Sequence, residues 1–591
     1  MTFMKVNNKI KTMAVAALAV LGMSSCNDFL TIYPTDKTIG QEFWKTKDDV
    51  ERMATGAYAN MLSSGVQRRA IIWGAYRSDE LVKNKLYDNT DLDNISAVNM
   101  LPTNGYNSWG DFYSVINRCN IVLNHAKDVM EIDPEFTQGD YTTVRAQMLA
   151  LRSLCYFYLV RTFRDVPYTT KSYESDDMTE MLPQTNPDSV LQCCIADLEE
   201  SEKYILKTGA YGNGSWKNKG YFTRDAVNAL MADIYLWRAS MTHNAADYQK
   251  CVEYCDKVIS AKDQYYREYH NMGASGDKSD IYHLTSGSMA GLLLFGYTDG
   301  NAQESILEWQ YDGTSNWNWG IENLYYMTGS KADDHKTYSE VQASSIFNMY
   351  DENANTDNSN KVYHSKNDYR FWNNCYEVGS EEASALYIRK MIGSHSGTIS
   401  VLSTAGADRT TTRSFSDFRQ NWIVYRLTDV MLMKAEALVQ LASSDEDANL
   451  TKAFNLVQVV NKRSMSTTAT DTLKVSDFKT VADMEKLVLA ERERELCFEG
   501  KRWFDLVRYC YRHMEGVDIK KKMAESTSWP SLYSPMLKLV TRKYESGGDA
   551  VSYKMKSEPF LYFPIQRSEI KVNKLLVQNP VYFDKETTSK N

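Results

Sequence analysis

The chain has 591 residues and a formal net charge of −9, from 67 basic and 76 acidic side chains. Its 29 glycines and 11 prolines are few for this length, which argues against a β-sandwich or barrel with many tight turns. The acidic balance excludes the basic footprint that nucleic acids require, and no apolar run reaches the roughly 18 residues of a membrane-spanning helix. The length allows about four domains or one large helical body.

The first 26 residues have the form of a secretion signal. Lysines precede the apolar stretch 13–23, which is too short to cross a bilayer, and two serines then lead to Cys26. A cysteine at this point resembles a bacterial lipoprotein signal, because its thiolate can attack a lipid donor. We therefore predict a signal peptide at 1–25, lipidation of Cys26 and a tether at 26–40. The alternative is an ordinary signal peptide with a chance cysteine.

Helical periodicity dominates most of the remaining chain. Between residues 144 and 162, side chains suited to burial recur at alternating steps of four and three, as on one face of an amphipathic helix. Similar patterns predict helices at about 46–63, 108–131, 187–206, 223–240, 245–260, 422–441, 449–463 and 482–511. The alanines of 223–240 suit the close helix packing of tetratricopeptide (TPR) hairpins.

These patterns predict a mostly α fold with three regions. A TPR-like helical-hairpin body is expected at 41–263, and a C-terminal helical region with an irregular tail from about 530 is expected at 421–591. Between them, 264–420 is rich in Gly, Ser, Asn, Asp and aromatic residues. A loop-rich stretch of this length is usually functional, so we predict a variable ligand-binding region. The alternative is an insert that only covers the helical core.

Two groups of aromatic and polar residues have the composition of sugar-binding loops. Aromatic planes stack on the C–H faces of sugars, and amides, carboxylates and arginine bind their hydroxyls. The predicted ligand-binding residues are Trp73, Arg77, Asp79, Tyr87 and Asn104 in the first group and Trp309, Trp317, Trp319, Tyr325 and Trp372 in the second. The alternative for each is packing of a loop onto the core. Packing is the prediction for the tryptophans in helical patterns, Trp44, Trp109, Trp237, Trp422 and Trp503.

Catalytic, cofactor and metal motifs are not found in the sequence. It has no GxSxG, HExxH, Walker A or GxGxxG motif, and the other nine cysteines form no CxxC pair, so they are expected to be buried free thiols. The stretch 351–362 begins like an EF-hand loop but has Thr356 and Val362 where Gly and Glu are needed. We predict no cofactor, no metal and no catalytic residue, although a two-carboxylate glycosidase site stays open.

Three segments resemble one known family. They are 145–167, the stretch 491–508 (ERERELCFEGKRWFDLVR), and the tail elements Phe563-Pro-Ile565, Glu569-Ile570, Asn573 and Gln578-Asn-Pro580. With Cys26, they resemble the SusD/RagB family of outer-membrane nutrient-binding lipoproteins of Bacteroidota. The resemblance covers nearly the whole mature chain. Arg164 and Val581 depart from it, because the family often has Gly at these two positions.

The resemblance implies a fold and a function. The fold would be a helical body of four TPR-like units with a variable loop-rich half. The protein would be surface-exposed at the cell outer membrane, anchored through Cys26. It would bind an oligosaccharide, without catalysis, for a SusC-like TonB-dependent transporter. Open alternatives are a peptide or other nutrient as ligand, a glycoside hydrolase, and a TPR-type scaffold without a small ligand.

Overall fold

The computed structural model describes residues 43–175, 178, 180–272, 280–285, 300–326, 339–348, 360–365, 367–378, 385–391, 419–466, 469–470 and 472–582. The predicted signal peptide, Cys26, the tether and the loop 351–357 lie outside the described residues.

Long helices build the N-terminal part, as the periodicity predicts. They are α1 (Lys47–Met61), α2 (Ser64–Ile71), α3 (Thr90–Ser96), α4 (Gly110–Ile132), α5 (Gln138–Phe163), α6 (Pro187–Tyr204), α7 (Lys217–Gly220), α8 (Arg224–Thr242) and α9 (Ala245–Tyr269). A π-helical turn, Ile72–Tyr76, continues α2. Helices α4, α5 and α6 pack in succession, and α8 forms a hairpin with α9. Thr137 fixes the start of α5 by accepting a hydrogen bond from the Asp140 backbone, which completes a capping box.

The variable region and the C-terminal part continue this helical body. The variable region contains α10 (Trp319–Tyr325) and α11 (Tyr369–Asn374). The C-terminal helices are α12 (Leu427–Gln440), α13 (Ala448–Ser464), α14 (Val481–Leu496), α15 (Arg502–Arg512), α16 (Ser534–Thr541), α17 (Gly548–Lys554) and α18 (Arg567–Val572). Helix α12 packs on α9, α13 and α14, and α15 packs on α8. The described residues are therefore mostly helical, which confirms the predicted fold class.

Short antiparallel strand pairs connect the regions. The strands are β1 (Leu81–Lys83), β2 (Val166–Pro167), β3 (Gln184–Thr185), β4 (Ser305–Trp309), β5 (Val341–Ala343), β6 (Cys375–Val378), β7 (Ala385–Ile388) and β8 (Trp422–Arg426). The pairs are β1 with β5, β2 with β3, β4 with β8, and β6 with β7. The first and third pairs join the variable region to the N-terminal and C-terminal parts.

Two predictions about helices are corrected. Residues 422–426 form strand β8, because Trp-Ile-Val-Tyr-Arg is rich in β-branched and aromatic residues and pairs with β4. The tail is partly helical, since α16, α17 and α18 are too short to give a clear periodicity. One prediction is confirmed: a glycine inside the helical pattern 482–511 predicts a break, and α14 and α15 are separated at Gly500, which adopts a φ of 68°.

Two packing predictions are confirmed. The five tryptophans assigned to packing are buried. The nine cysteines in the described residues are free thiols, and all except the partly exposed Cys193 are buried.

The segment 491–512 is the centre of a buried network of ion pairs. Glu495 accepts hydrogen bonds from Arg426 at 2.6 Å and Arg370 at 2.9 Å, and it also pairs with Arg463. Glu499 binds Arg426 at 2.8 Å and Lys390 at 2.7 Å. The side chains of these carboxylates and of their partners are almost completely buried, with at most 6% exposed. The variable region and β8 are thereby attached to α14.

Helical spacing predicts three charge pairs within this segment, at i,i+3. Two are confirmed: Glu491–Arg494 at 2.8 Å and Asp505–Arg508 at 2.7 Å. The third predicted pair, Glu499–Arg502, does not form, because both side chains have partners elsewhere in the chain. Glu499 binds Arg426 and Lys390, and Arg502 binds Asp79 at 2.9 Å.

We expect Glu495→Gln to lower the free energy of unfolding by about 3–5 kcal/mol, because it leaves several buried arginine charges uncompensated. The matched control is Asp48→Asn in the exposed pair Arg52–Asp48, where both side chains are 72% exposed and the expected loss is below about 0.5 kcal/mol. Urea unfolding of both variants measures the difference.

The free energy of unfolding that Glu495→Gln removes should also depend on pH. Burial alone would raise the pKa of Glu495, but Arg463, Arg426 and Arg370 outweigh it and hold that pKa well below its ordinary value. This stabilisation is therefore complete above the unfolded-state pKa of about 4.3 and disappears as the pH falls further. Equal stability of wild type and Glu495→Gln at pH 7 would contradict the network.

Candidate ligand-binding site

A cavity of about 490 Å³ opens between the N-terminal helices and strand β4. Its lining residues are Thr55, Tyr58, Ala59, Met61, Leu62, Leu151, Leu154, Trp216, Gly220, Tyr221, Phe222, Leu307, Trp309, Gln310, Tyr311, Asp312 and Asn316. They come from α1, α5, the stretch around α7, β4 and the loop that follows β4. Trp216 is 46% exposed, so the cavity reaches the protein surface.

One wall of the cavity is a cluster of aromatic rings around Tyr221. Its ring centroid lies 4.8 Å from that of Tyr58, 5.5 Å from Trp216 and 5.9 Å from Tyr211. The backbone N–H of Phe222 donates to the Tyr58 hydroxyl at 3.1 Å, which attaches this wall to α1. Burial raises the pKa of Tyr58 well above its usual range, so its hydroxyl stays neutral.

Trp309 and Tyr311 form the buried floor. Trp309 ends β4 opposite Trp422 of β8, with ring centroids 6.5 Å apart. The Tyr311 hydroxyl donates to the side-chain oxygen of Gln67 at 3.0 Å, and its backbone N–H donates to Asn421 at 2.9 Å. Both rings therefore have fixed positions, with 5% and 6% of their surfaces exposed.

Polar groups lie along one side of the cavity. The Gln310 side-chain oxygen accepts from Asn301 and Asn421, each at 2.9 Å. Asp312 Oδ1 accepts the backbone N–H groups of the next residues, at 2.8 Å from Thr314 and 2.9 Å from Asn316. Hydrogen bonds from these backbone groups lower the pKa of Asp312, so its carboxylate is ionised. The loop is thus a rigid turn that carries amide groups and one negative charge.

Next to the cavity, two tryptophans form a platform. The rings of Trp317 and Trp319 stack with centroids 5.9 Å apart and planes 22° apart. The Trp317 indole N–H donates to the Thr314 carbonyl at 2.9 Å, and Asn318 caps α10 while donating to the Gln420 carbonyl at 2.7 Å. Trp319 is 47% exposed, so the platform continues the aromatic surface outward from Asn316.

The first predicted group is mostly buried. The Trp73 indole N–H donates to the Tyr106 carbonyl at 2.8 Å, and the Arg77 guanidinium lies 4.3 Å from the centre of the Trp503 ring. Asp79 pairs with Arg502 and Arg542, and Asn104 caps a 3-10 turn. The prediction that these four side chains face a ligand is therefore corrected, because their polar atoms bind the protein itself. Tyr87 is partly buried and does not line the cavity.

The second predicted group is divided. Trp309 lines the cavity, and Trp317 and Trp319 lie beside it. Tyr325 is fully buried and donates to the Phe498 carbonyl at 2.9 Å, so its prediction as a ligand contact is corrected. Trp372 is partly buried against Phe371 and is not part of the cavity lining.

The sequence interpretation missed most of the wall. Trp216 and Tyr221 follow a stretch rich in Gly and Asn, and Asp312-Gly313 has the composition of a turn. These signals predict loops. The criterion used for the two predicted groups, aromatic residues in polar loops, would therefore have included Trp216 and Tyr221. Tyr58 has no such signal, since an inward-facing tyrosine on α1 has the same pattern as a core residue.

No helix of the described residues has the length and apolar character needed to cross a bilayer. Within the same part of the chain, no group of His, Cys, Asp and Glu side chains could hold a metal ion.

A helical body with an aromatic-walled surface cavity is typical of helical ligand-binding proteins. A family model described as "SusD family" matches residues 303–582. A second model, described as "Starch-binding associating with outer membrane", matches residues 28–236. The chain belongs to the SusD/RagB family, which confirms the resemblance seen in the sequence, and it is a SusD-like nutrient-binding protein.

Relatives and solved structures agree with this assignment. SusD-like protein P38 of Formosa agariphila is 24% identical over 526 residues, which cover 85% of this chain and 92% of that protein. A laminarin-binding SusD-like protein has a TM-score of 0.59 at 20% identity, over 91% of this chain and 99% of its own. NanU of B. fragilis has a TM-score of 0.61 at 17% identity, over 92% and 99%. At these identities the two structures establish a common fold.

Gly220 makes the close contact between the aromatic wall and Gln310 possible. A Cβ atom at this position would lie 2.7 Å from Gln310 Cγ and 2.7 Å from the Trp216 ring. We expect Gly220→Ala to reduce the free energy of unfolding by about 1–3 kcal/mol, because Asn301 and Asn421 hold Gln310 in place. Urea unfolding measures the change.

Gly139→Ala is the control, since its Cβ would meet no atom closer than 3.7 Å in the first turn of α5. It should leave stability equal or slightly higher. If Gly220→Ala were as stable as this control, Trp216 and Gln310 would not be packed as described.

Proposed function

We propose that the protein is a surface-exposed lipoprotein of the outer membrane that captures an oligosaccharide and delivers it to a SusC-like TonB-dependent transporter. The observation that carries the proposal is the cavity, where rings of Tyr58, Trp216, Tyr221 and Trp309 surround a space beside fixed amide groups. Aromatic planes provide surface for sugar C–H faces, and the exposed side-chain amide of Asn316 provides a donor and an acceptor for hydroxyls.

The tryptophan platform favours a chain of sugars over a single one. Asn316 lines the cavity and Trp319 follows three residues later, a backbone reach of at most about 11 Å. A ligand that occupied the cavity could therefore extend onto the stacked rings of Trp317 and Trp319. This arrangement supports an oligosaccharide or the end of a polysaccharide as the ligand.

The relatives support a polysaccharide ligand, because one structure with this fold is a laminarin-binding protein and one matching family is described as starch-binding. The family description also associates its members with the outer membrane, which agrees with an anchor on Cys26. A lipid on this residue would hold the protein at the membrane without a spanning helix. Trp44 stacks on His125 with centroids 4.7 Å apart, which attaches the segment before α1 to α4.

The chemistry of the cavity favours binding over catalysis. Glycoside hydrolysis normally requires two carboxyl groups that flank the scissile bond. Among the described residues that line the cavity, Asp312 is the single carboxylate. Glu491 and Glu495 of α14, which share one helix face, are buried in ion pairs with arginines. We therefore propose that the protein holds its ligand without hydrolysing it.

Native affinity gels that contain a panel of glycans, including laminarin and starch, test the proposal on the soluble chain that begins after Cys26. We expect one glycan to retard the protein. Trp216→Ala and Trp319→Ala should each weaken the affinity for that glycan by about five-fold or more, because each removes a stacking surface. Isothermal titration measures the affinity.

Tyr553→Ala is the matched control, because Tyr553 is an exposed aromatic residue (72%) on α17, outside the cavity, and its loss should leave binding unchanged. Equal affinity of wild type, Trp216→Ala and Trp319→Ala would place the site elsewhere. Depletion of a peptide mixture, with no glycan retarding the protein, would favour a peptide as the nutrient.

A further inference from the structure

We infer that the cavity selects neutral glycans and discriminates against glycans that carry carboxylate or sulfate groups. This inference rests on the proposed function and adds the substrate class. Among the described residues that line the cavity, Asp312 is the only charged side chain. The remaining lining consists of aromatic, aliphatic, amide and hydroxyl groups, which bind a sugar without requiring a charge on it.

The negative charge of Asp312 has a fixed position. Three successive backbone N–H groups, those of Thr314, Ser315 and Asn316, donate to its Oδ1 at 2.8–2.9 Å. The same hydrogen bonds keep its pKa below the ordinary value, so the charge is present at neutral pH. A ligand carboxylate in the cavity would therefore lie near a like charge that cannot turn away. Repulsion between like charges at short range weakens binding.

The described cations near the cavity are not among its lining residues. Lys219 precedes Gly220, but its ammonium group donates to the Asn301 carbonyl at 2.5 Å. Burial and the charge of Lys262 lower the pKa of Lys219 to about 7, which further reduces its positive charge at neutral pH. Lys217 and Arg419 are exposed, and neither lines the cavity. No described lining residue can therefore neutralise an anionic ligand.

A matched pair of ligands tests this inference on the soluble chain that begins after Cys26. The probes are laminarin and starch oligosaccharides and the same oligosaccharides oxidised at C6 to uronates. We expect the neutral form of the bound glycan to have an affinity at least about five-fold higher than its oxidised form. The difference in affinity between the two forms should decrease as the salt concentration is raised, because salt screens the repulsion between Asp312 and the uronate.

Asp312→Asn is the decisive variant. An asparagine oxygen can accept the same backbone N–H groups, so the turn is retained while the charge is lost. We expect the affinity for the oxidised glycan to approach within about two-fold of the affinity that the same variant has for the neutral one. Lys217→Ala is the control and should leave the ratio of affinities unchanged.

Three results would overturn the inference. Equal or tighter binding of the oxidised form by wild type would contradict it and leave the proposed glycan function intact. A ratio of neutral to oxidised affinities that changes neither in Asp312→Asn nor with salt would also contradict the inference and leave the proposed function intact. If neither form of any glycan bound, both the inference and the proposed function would fail. The salt dependence of wild type keeps the test valid if the variant does not fold.

Discussion

The structure depends on the buried ion pairs that surround the segment 491–512. A charge removed from water is stable only when a partner charge and hydrogen bonds compensate it. Here the partners come from distant parts of the chain: Asp79 lies before β1, Arg370 and Lys390 lie in the variable region, and Arg426 ends β8. Each pair forms only when these regions are in one arrangement. The network therefore specifies how the three regions pack.

The position of the cavity follows from this network. Arg426 is held by Glu495 and Glu499, and it ends the strand β8 that pairs with β4. Strand β4 in turn carries Trp309 into the cavity floor. A second constraint is the contact between Gly74 and Gly500, where a Cβ on Gly74 would lie 1.8 Å from the Gly500 carbonyl oxygen. This contact brings the π-helical turn after α2 against the break between α14 and α15. The cavity is thus built on a rigid base.

The sequence predicts the long helices well and the site only in part. Helices such as α5 and α8 have a clear periodicity over many turns, so local pattern is enough. Asp79 has the same composition signal as a ligand-binding residue, and its true partner, Arg502, is 423 positions away. No local pattern reveals that pairing. Trp309 lines the cavity and Trp317 and Trp319 lie beside it, and the sequence predicts all three because their residue type and loop context both fit. Tyr58 faces the cavity only because of tertiary packing.

A common fold does not determine the ligand, since NanU has this fold at only 17% identity to this chain. The central claim is therefore that the aromatic cavity, and not the first predicted group, contacts the glycan. Amide hydrogen exchange, with and without the glycan that retards the protein in affinity gels, tests it most directly. The account predicts slower exchange at 216–222 and 310–319, with no change at 76–106. Protection at 76–106 without protection at 310–319 would contradict it.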